Sequence, residues 1–369
     1  MKVIINRAGM AAILSAAERI APIVSPLDAL RGVLVETVEG SLAVTATNLE
    51  VTLKQTLPAQ IQEEGRFVFS AKLLAAMFRL LGGEMVCVTL DENNRLTLES
   101  GETVYAVTAL DAKRYPKLEL PFPEDTVPVT GIPALTCRTA FAVREDASKP
   151  IMKCIDLIFG KDGLRAIGSD GFRIADAKGD RKSTGEINML LPARSLEKLA
   201  ALVENQDSLA VGTTGKAIVF SKNNIIFSAR LMDGTYMNVD QIFSSAKPAF
   251  TVLTDAEALR RAVNVIAPLD GEEQRIMLRF GGSRLTLQCA DKYTRASTSL
   301  EVIPLMGTPA GEYWYHCGQL YECLRAQRGT LMVDVAQNGL LLLRTDDLIC
   351  VQTASRAPAS ERQSGEKAA

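Results

Sequence analysis

Apolar and polar positions alternate in blocks that recur along the chain. Three segments join a short apolar strand, a polar turn and a second strand: residues 41–53, 164–175 and 284–296. Asn48, Asp170 and Asp291 hold the equivalent turn position, spaced 122 and then 121 residues apart. A 3.6-residue period over 70–80 predicts a helix with Ser70 as its N-cap and Gly82 beyond its end. The same pattern returns at 192–202, with proline at the helix start, and at 317–326. An earlier helix is predicted in each third as well, over 10–20, 133–143 and 255–266. Short polar turns such as 91–94, between apolar runs at 86–90 and 95–99, imply antiparallel hairpins.

A period near 120 residues is too long for a solenoid unit and suits a whole small domain. The chain therefore reads as three copies of one α+β domain, each running helix, strands, helix, strands. The expected divisions are 1–122, 123–247 and 248–356. Residues 357–369 carry no large apolar side chain and are expected to form a disordered tail. On the helix over 70–80, the pattern assigns Leu73, Leu74, Met77, Leu80 and Leu81 to the buried face. Lys72, Ala75, Ala76 and Arg79 fall on the outer one.

Of 369 residues, 47% are hydrophobic and 23% charged, enough to fill several cores. No apolar run reaches the 18 residues of a membrane span. Arg7 arrives too early for a signal peptide. The seven cysteines (Cys87, Cys137, Cys154, Cys289, Cys317, Cys323, Cys350) are scattered, the usage of a reducing cytoplasm, where the protein is expected to reside. A net charge of −2 excludes a whole-molecule basic field. Cations nevertheless gather on the predicted helices: Arg19, Lys72, Arg79, Arg138, Arg144, Arg194, Lys198, Arg260, Arg261, Arg325 and Arg328. Ordinary solvated helix faces account for any one of these stripes. Their recurrence points to a polarised field suited to phosphate backbones without base reading.

Catalytic patterns fail one by one. Gly212-Thr-Thr-Gly-Lys-Ala217 is too short for a phosphate loop and ends in alanine, so it reads as a hairpin turn. No G-x-G-x-x-G, H-E-x-x-H or C-x-x-C occurs. Cys317 and Cys323, six apart, share no helix face and make a poor zinc site beside the single histidine, His316. His316 precedes a repeated helix where the other thirds carry Phe69 and Leu191, which reads as a packing position. Asp170 with Arg173 could form a catalytic pair, though aspartate in a strand–strand turn is the commoner arrangement. No metal, cofactor or enzymatic activity is expected.

The triplication and Ser169-Asp-Gly-Phe-Arg-Ile-Ala175 together resemble the bacterial replication sliding clamps, the β subunits of DNA polymerase III. So do Ala46-Thr-Asn-Leu-Glu50, Arg114-Tyr-Pro-Lys-Leu118 and Leu231-Met-Asp-Gly234. The resemblance runs in order from residue 1 to about 356. It implies clamp-type domains of two helices and two antiparallel sheets each, in a head-to-tail homodimer of six domains. Twelve helices of ~10 Å diameter side by side span roughly 120 Å, leaving a hole of roughly 28 Å. That admits duplex DNA, encircled without regard to sequence. Lys149 and Lys153 would join the DNA-facing cations, with Met152 and Lys153 standing where the family can carry aromatics.

The resemblance also implies a pocket for short peptides of polymerases, the clamp loader and repair proteins. One wall would be Cys154, Ser169, Gly171, Phe172, Arg173 and Ile174. Met237, Gln241 and Ile242 would follow, then Val351, Thr353, Ala354, Ser355 and Arg356. Here the chain departs from the family. Met237 replaces the usual proline, Gln241 a common arginine, and 351–357 an apolar ending, so a more polar floor is expected. The loop around Ile23, Val24 and Ser25 lacks a basic residue often found there. At the subunit interface the edge strand over 103–108 would place Tyr105 and Val107 against Val265 and Ile266. The functional expectation is a processivity factor for replicative or repair polymerases. A divergent paralogue, a monomeric regulator that lost the ring, and a hydrolase or transferase on a triplicated scaffold are its rivals.

Overall fold

The computed structural model describes residues 1–118, 120, 122–144, 146, 148–160, 163–179, 187–267, 275–290 and 295–357. Asp291, the boundary residue Pro121 and the tail beyond Ala357 lie outside the described residues.

One order of elements recurs three times. The first round is β1 (Lys2–Asn6), α1 (Arg7–Ile20), β2 (Gly32–Val38), β3 (Ser41–Thr47), β4 (Val51–Glu63), β5 (Arg66–Ser70), α2 (Ala71–Leu80), β6 (Met85–Leu90), β7 (Arg95–Ser100) and β8 (Thr103–Thr108). The second is β9 (Val127–Val129), α3 (Ile132–Thr139), β10 (Cys154–Gly160), β11 (Gly163–Ser169), β12 (Arg173–Lys178), β13 (Ile187–Pro192), α4 (Ala193–Ala200), β14 (Leu209–Thr213), β15 (Ala217–Lys222) and β16 (Ile225–Arg230). A short connecting helix, α5 (Val239–Ser245), follows. The third round is β17 (Pro248–Asp255), α6 (Ala256–Ile266), β18 (Arg275–Gly281), β19 (Arg284–Ala290), β20 (Arg295–Glu301), β21 (Ile303–Met306), β22 (Ala310–His316), α7 (Cys317–Ala326), β23 (Thr330–Ala336), β24 (Leu341–Arg344) and β25 (Leu348–Gln352). β20 and β21 together occupy the place of the long β4. Residues 212–217 form the β14–β15 hairpin turn, with Gly215 at φ 83°.

Capping side chains start the helices, α2 and α6 within one residue of the predicted start and α1 at Arg7 rather than at residue 10. Asn6 accepts from Gly9 N at 2.9 Å, Ser70 from Leu73 N at 3.4 Å and Asp255 from Ala258 N at 2.7 Å. Each such cap contributes about 1 kcal/mol. His316 belongs to this set: its Nδ1 accepts from Gln319 N at 3.3 Å. It is a helix cap equivalent to Ser70 and Pro192, which corrects its assignment as a packing residue aligned with Phe69 and Leu191. Neutral imidazole alone can accept at that nitrogen.

The face of α2 differs from expectation. Its buried stripe is Ala71, Leu74, Ala75 and Phe78, while Leu73 and Leu80 are 53% and 73% exposed. Two stripes of similar apolarity lie side by side on this helix. Burying Phe78 with Leu74 removes more apolar surface than the leucine stripe would, and that decides the rotation.

The described residues divide into two compact units. Unit 1 comprises 1–132 and 194–231, and unit 2 comprises 133–193 and the chain from Met232 on, so the middle round contributes to both. Unit 1 holds a twelve-stranded sheet. Its junction is β4, whose first half pairs β16 (Val51↔Ala229, Gln55↔Ile225) and whose second half pairs β1. In unit 2, β12 pairs β25 in the same manner (Arg173↔Gln352, Ala177↔Leu348) within a nine-stranded sheet. A four-stranded sheet ordered β20-β19-β18-β22 completes unit 2. Twice, then, the fourth-type strand of one round pairs the last strand of the next. β20 and β8, the next members of that series, each end a sheet.

Candidate functional site

The peptide-pocket residues all fall in unit 2. Ile174 and Val351 share the face of its nine-stranded sheet that α5 covers, while Arg173, one step along β12, faces the other way toward Phe141 and Glu322. Antiparallel register sets them in rows. Ser169, Ile174, Val351 and Leu342 follow one another across β11, β12, β25 and β24. The next row is Asp156, Ile167, Asp176, Ile349 and Arg344. Ile167, Ile174, Val239, Leu342 and Val351 form a buried cluster, and Tyr236, Met237, Ile242 and Phe243 pack on it from α5 and the segment before it.

An ion network holds α5 on this face. Arg165 on β11 grips Asp176 through Nε and Nη2 at 2.8 and 2.7 Å. It also grips Asp240 of α5 at 3.1 and 2.7 Å. This pairing holds the Asp240 carboxyl below the usual carboxylate range. Bidentate guanidinium–carboxylate bonds fix orientation as well as position. Arg165 and Asp240 stand 75 residues apart, and no local spacing announces the pair.

The β11–β12 turn presents Phe172. Asp170 Oδ1 accepts from the backbone N–H groups of Phe172 and Arg173, both at 2.9 Å. Ser169 Oγ donates to the Arg173 carbonyl at 2.8 Å and accepts from Gly171 N at 3.1 Å. Gly171 sits at φ 88°, a conformation that costs glycine nothing and a side chain more. The tight turn leaves Phe172 54% exposed, and its carbonyl accepts from Thr353 N at 2.9 Å. The chain then continues through Ala354 to Ser355, whose N–H meets the Trp314 carbonyl at 2.7 Å.

Three pocket residues serve the scaffold rather than its surface. Cys154 and Ser169 are wholly buried, and burial pushes the Cys154 thiol up to about 11. Arg173 is buried among partners: Asp170 Oδ2 at 3.1 Å, the Phe141 carbonyl at 2.5 Å, Glu322 on α7, and the Phe141 ring with its centroid 5.5 Å away. Asp170 and Arg173 are thus consumed in holding a turn. Phe172, Gln241, Thr353 and Arg356 remain exposed, with Met237 and Ile242 half-buried beside them. Sequence reasoning missed Tyr236, Asp156 and the Arg165 network. For Asp156 a signal existed, a lone carboxylate in the apolar run Cys154-Ile-Asp-Leu-Ile-Phe159.

The candidate DNA-facing cations divide by unit and by partner. In unit 1, Arg19, Lys72 and Arg194 are exposed. Arg79 is paired with Glu18 of α1 at 2.6 Å. Lys198 is half-buried, and that burial pulls its ammonium pKa below the usual lysine value. In unit 2, Arg138 pairs Asp347 at 2.7 Å, and Arg144 grips Asp146 at 2.9 and 2.8 Å. Arg328 donates to the carbonyls of Arg325 and Gln327. Lys149, Lys153, Arg261 and Arg325 are exposed, and Arg260 is half-buried. Internal carboxylates therefore neutralise part of the stripe, which a count of cations alone overstates.

Tyr105 and Val107 lie on β8, half-buried on one side of an edge strand. Val265 of α6 is 60% exposed, whereas Ile266 is fully buried in the stripe of Leu259 and Val263. Ile266 is thus a core residue, because the helical period turns it inward. Among the described residues no His, Cys, Asp and Glu side chains gather as a metal site, and no helix is long and apolar enough to cross a membrane.

Comparison with known proteins gives the same direction throughout. Residues 1–119 match the family model of the DNA polymerase III beta subunit N-terminal domain, and residues 126–238 match that of its central domain. The chain is 25% identical over 272 residues to a beta sliding clamp of Halalkalibacterium halodurans, taking in 69% of this chain and 71% of that one. Among solved structures, a putative DNA polymerase III beta subunit from Eubacterium rectale superposes with a TM-score of 0.92 at 14% identity, covering 97% of this chain and all of the other. A sliding clamp of Pseudomonas aeruginosa bound to griselimycin gives a TM-score of 0.88 at 20% identity over the same shares. Two consecutive domain matches, in order and together spanning more than half its length, place the chain in the DNA polymerase III beta subunit family, the sliding clamps.

Proposed function

We propose that the chain closes head to tail with a second copy into a ring of six clamp-type domains, 1–122, 123–247 and 248–356 from each, around duplex DNA. The pattern of strand junctions carries this reading. Two junctions within the chain join the fourth-type strand of one round to the last strand of the next. β20 and β8 are the pair left over, and a second copy can join each of them. Encirclement makes the grip topological, so exposed cations such as Lys72, Arg194 and Arg261 need attract DNA only weakly and at any sequence. Internal pairing of Arg79, Arg138 and Arg144 suits a surface that must slide. In this reading the protein is a non-catalytic, cytoplasmic tether. Polymerases, a clamp loader and repair proteins would dock peptides on the groove beside Phe172 and α5.

Sedimentation equilibrium tests the assembly. The expected mass is twice 39.9 kDa and persists on dilution. Glutamates at both Tyr105 and Val107 should reduce it to 39.9 kDa and abolish retention on circular DNA after loading. A wild-type monomer at all concentrations would turn the reading to a regulator that kept the fold without the ring.

A further inference from the structure

Asp156 is a buried carboxylate with one oxygen that pairs with no donor among the described residues. It sits on β10 between Cys154 and Ile158, and alternation turns all three to the groove face of the sheet. Its cross-strand neighbours are apolar, Ile167 on one side and Leu190 on the other. Only 5% of its surface is exposed, and its Oδ1 has no hydrogen-bond partner among the described residues. Arg165, whose charge also acts on Asp156, gives donors to Asp176 and Asp240. Tyr236, packed above on the groove cluster, directs its hydroxyl to the Cys154 carbonyl at 3.4 Å.

Most buried polar atoms in folded proteins are satisfied, so an orphan carboxylate oxygen calls for a donor from outside the chain. Burial raises the Asp156 carboxyl to about 6, so at neutral pH it is ionised against the preference of its surroundings. A cation brought to it relieves that conflict, and a second acid aggravates it. Asparagine, glycine or leucine at this position would spare the fold the burden. Beside it lie the apolar cluster of Ile174 and Val351 and the Arg165–Asp176–Asp240 network, and the exposed Phe172 with the half-buried Met237 and Ile242 offers apolar surface to Leu or Phe side chains.

We propose that Asp156 is the specificity-determining acceptor of this groove, and that the peptides it takes carry a lysine or arginine beside their apolar anchors. The assignment rests on the groove being a peptide site. Its row adjoins that of Ile174 and Val351 on the face that α5 covers, so a peptide seated against that face would lie beside the carboxylate. Partner selection is then set by charge as well as by shape. The exposed Gln241 adds no charge to the rim to compete with that choice.

Fluorescence anisotropy with short synthetic peptides tests this. Leu and Phe anchors are fixed, and one flanking position at a time carries Lys, Gln or Glu. At one position the lysine peptide should bind about tenfold tighter than the glutamine peptide, with the glutamate peptide weakest. Asp156→Asn should erase the lysine advantage and leave the glutamine peptide within about twofold, the scale of a neutral swap. Equal affinities at every position, or a lysine advantage that survives Asp156→Asn, would overturn the assignment while leaving the groove in place. Phe172→Ala with Ile242→Ala should abolish binding of every peptide. If no peptide binds the wild-type protein, the groove reading itself falls, and this assignment with it.

Discussion

Arg173→Ala should destabilise unit 2 by about 3–5 kcal/mol, the cost of leaving a buried charge without its partner. Arg173 is 8% exposed and the Asp170 side chain 1%. The guanidinium satisfies Asp170 Oδ2, the Phe141 carbonyl and Glu322 together. Alanine leaves Asp170 buried with two backbone donors and no counter-charge, and leaves the Phe141 carbonyl bare. Arg173→Lys should recover less than half of the loss, since one ammonium cannot span three acceptors in a plane. Urea unfolding checks this through the midpoint shift. Arginine, lysine and alanine of equal stability would mean that the turn stands on Asp170 and Gly171 alone. The same experiment separates scaffold from surface at the pocket, because Phe172→Ala should leave the midpoint nearly unchanged.

The periodic features of the fold were legible in the sequence. Among the described residues, six of the seven α-helices begin within a few residues of their predicted starts, because caps such as Ser70 and Asp255 are local signals. The hairpins were legible for the same reason. α5 was not, being seven residues with no sustained period. Rotation of α2 was not legible either, since two adjacent apolar stripes compete and only packing chooses between them. At the site, local motifs again carried furthest. Ser169-Asp-Gly-Phe-Arg173 announced a turn, and it is one. The pairing of the arginines was illegible, because Arg138–Asp347 and Arg165–Asp240 join residues far apart in the chain. Ile266 shows the same limit on a smaller scale. Its neighbour Val265 faces outward, and a single residue step along a helix moves a side chain from surface to core.

Asp156→Asn should raise stability at alkaline pH and leave it unchanged in acid. The folded carboxyl titrates at about 6, raised from 3.8 by burial, with Arg165 opposing the rise only in part. A group whose folded pKa is raised binds its proton more tightly in the folded state. Its favourable contribution is therefore complete below pH 3.8 and is lost as pH climbs through 6. Above pH 7 the ionised form costs the wild-type fold about 1–3 kcal/mol. Asparagine keeps the shape and never ionises, so it should gain that amount at pH 8, with the advantage shrinking to nothing by about pH 4. Paired urea titrations of the two proteins across this range measure it. Parallel curves at every pH would show that Asp156 is satisfied in solution. A pH-dependent gain would show that the chain carries an ionised buried acid at a cost to its own stability. Natural sequences seldom keep such a burden between apolar cross-strand neighbours without a use for it, and a peptide cation at the groove is the use proposed.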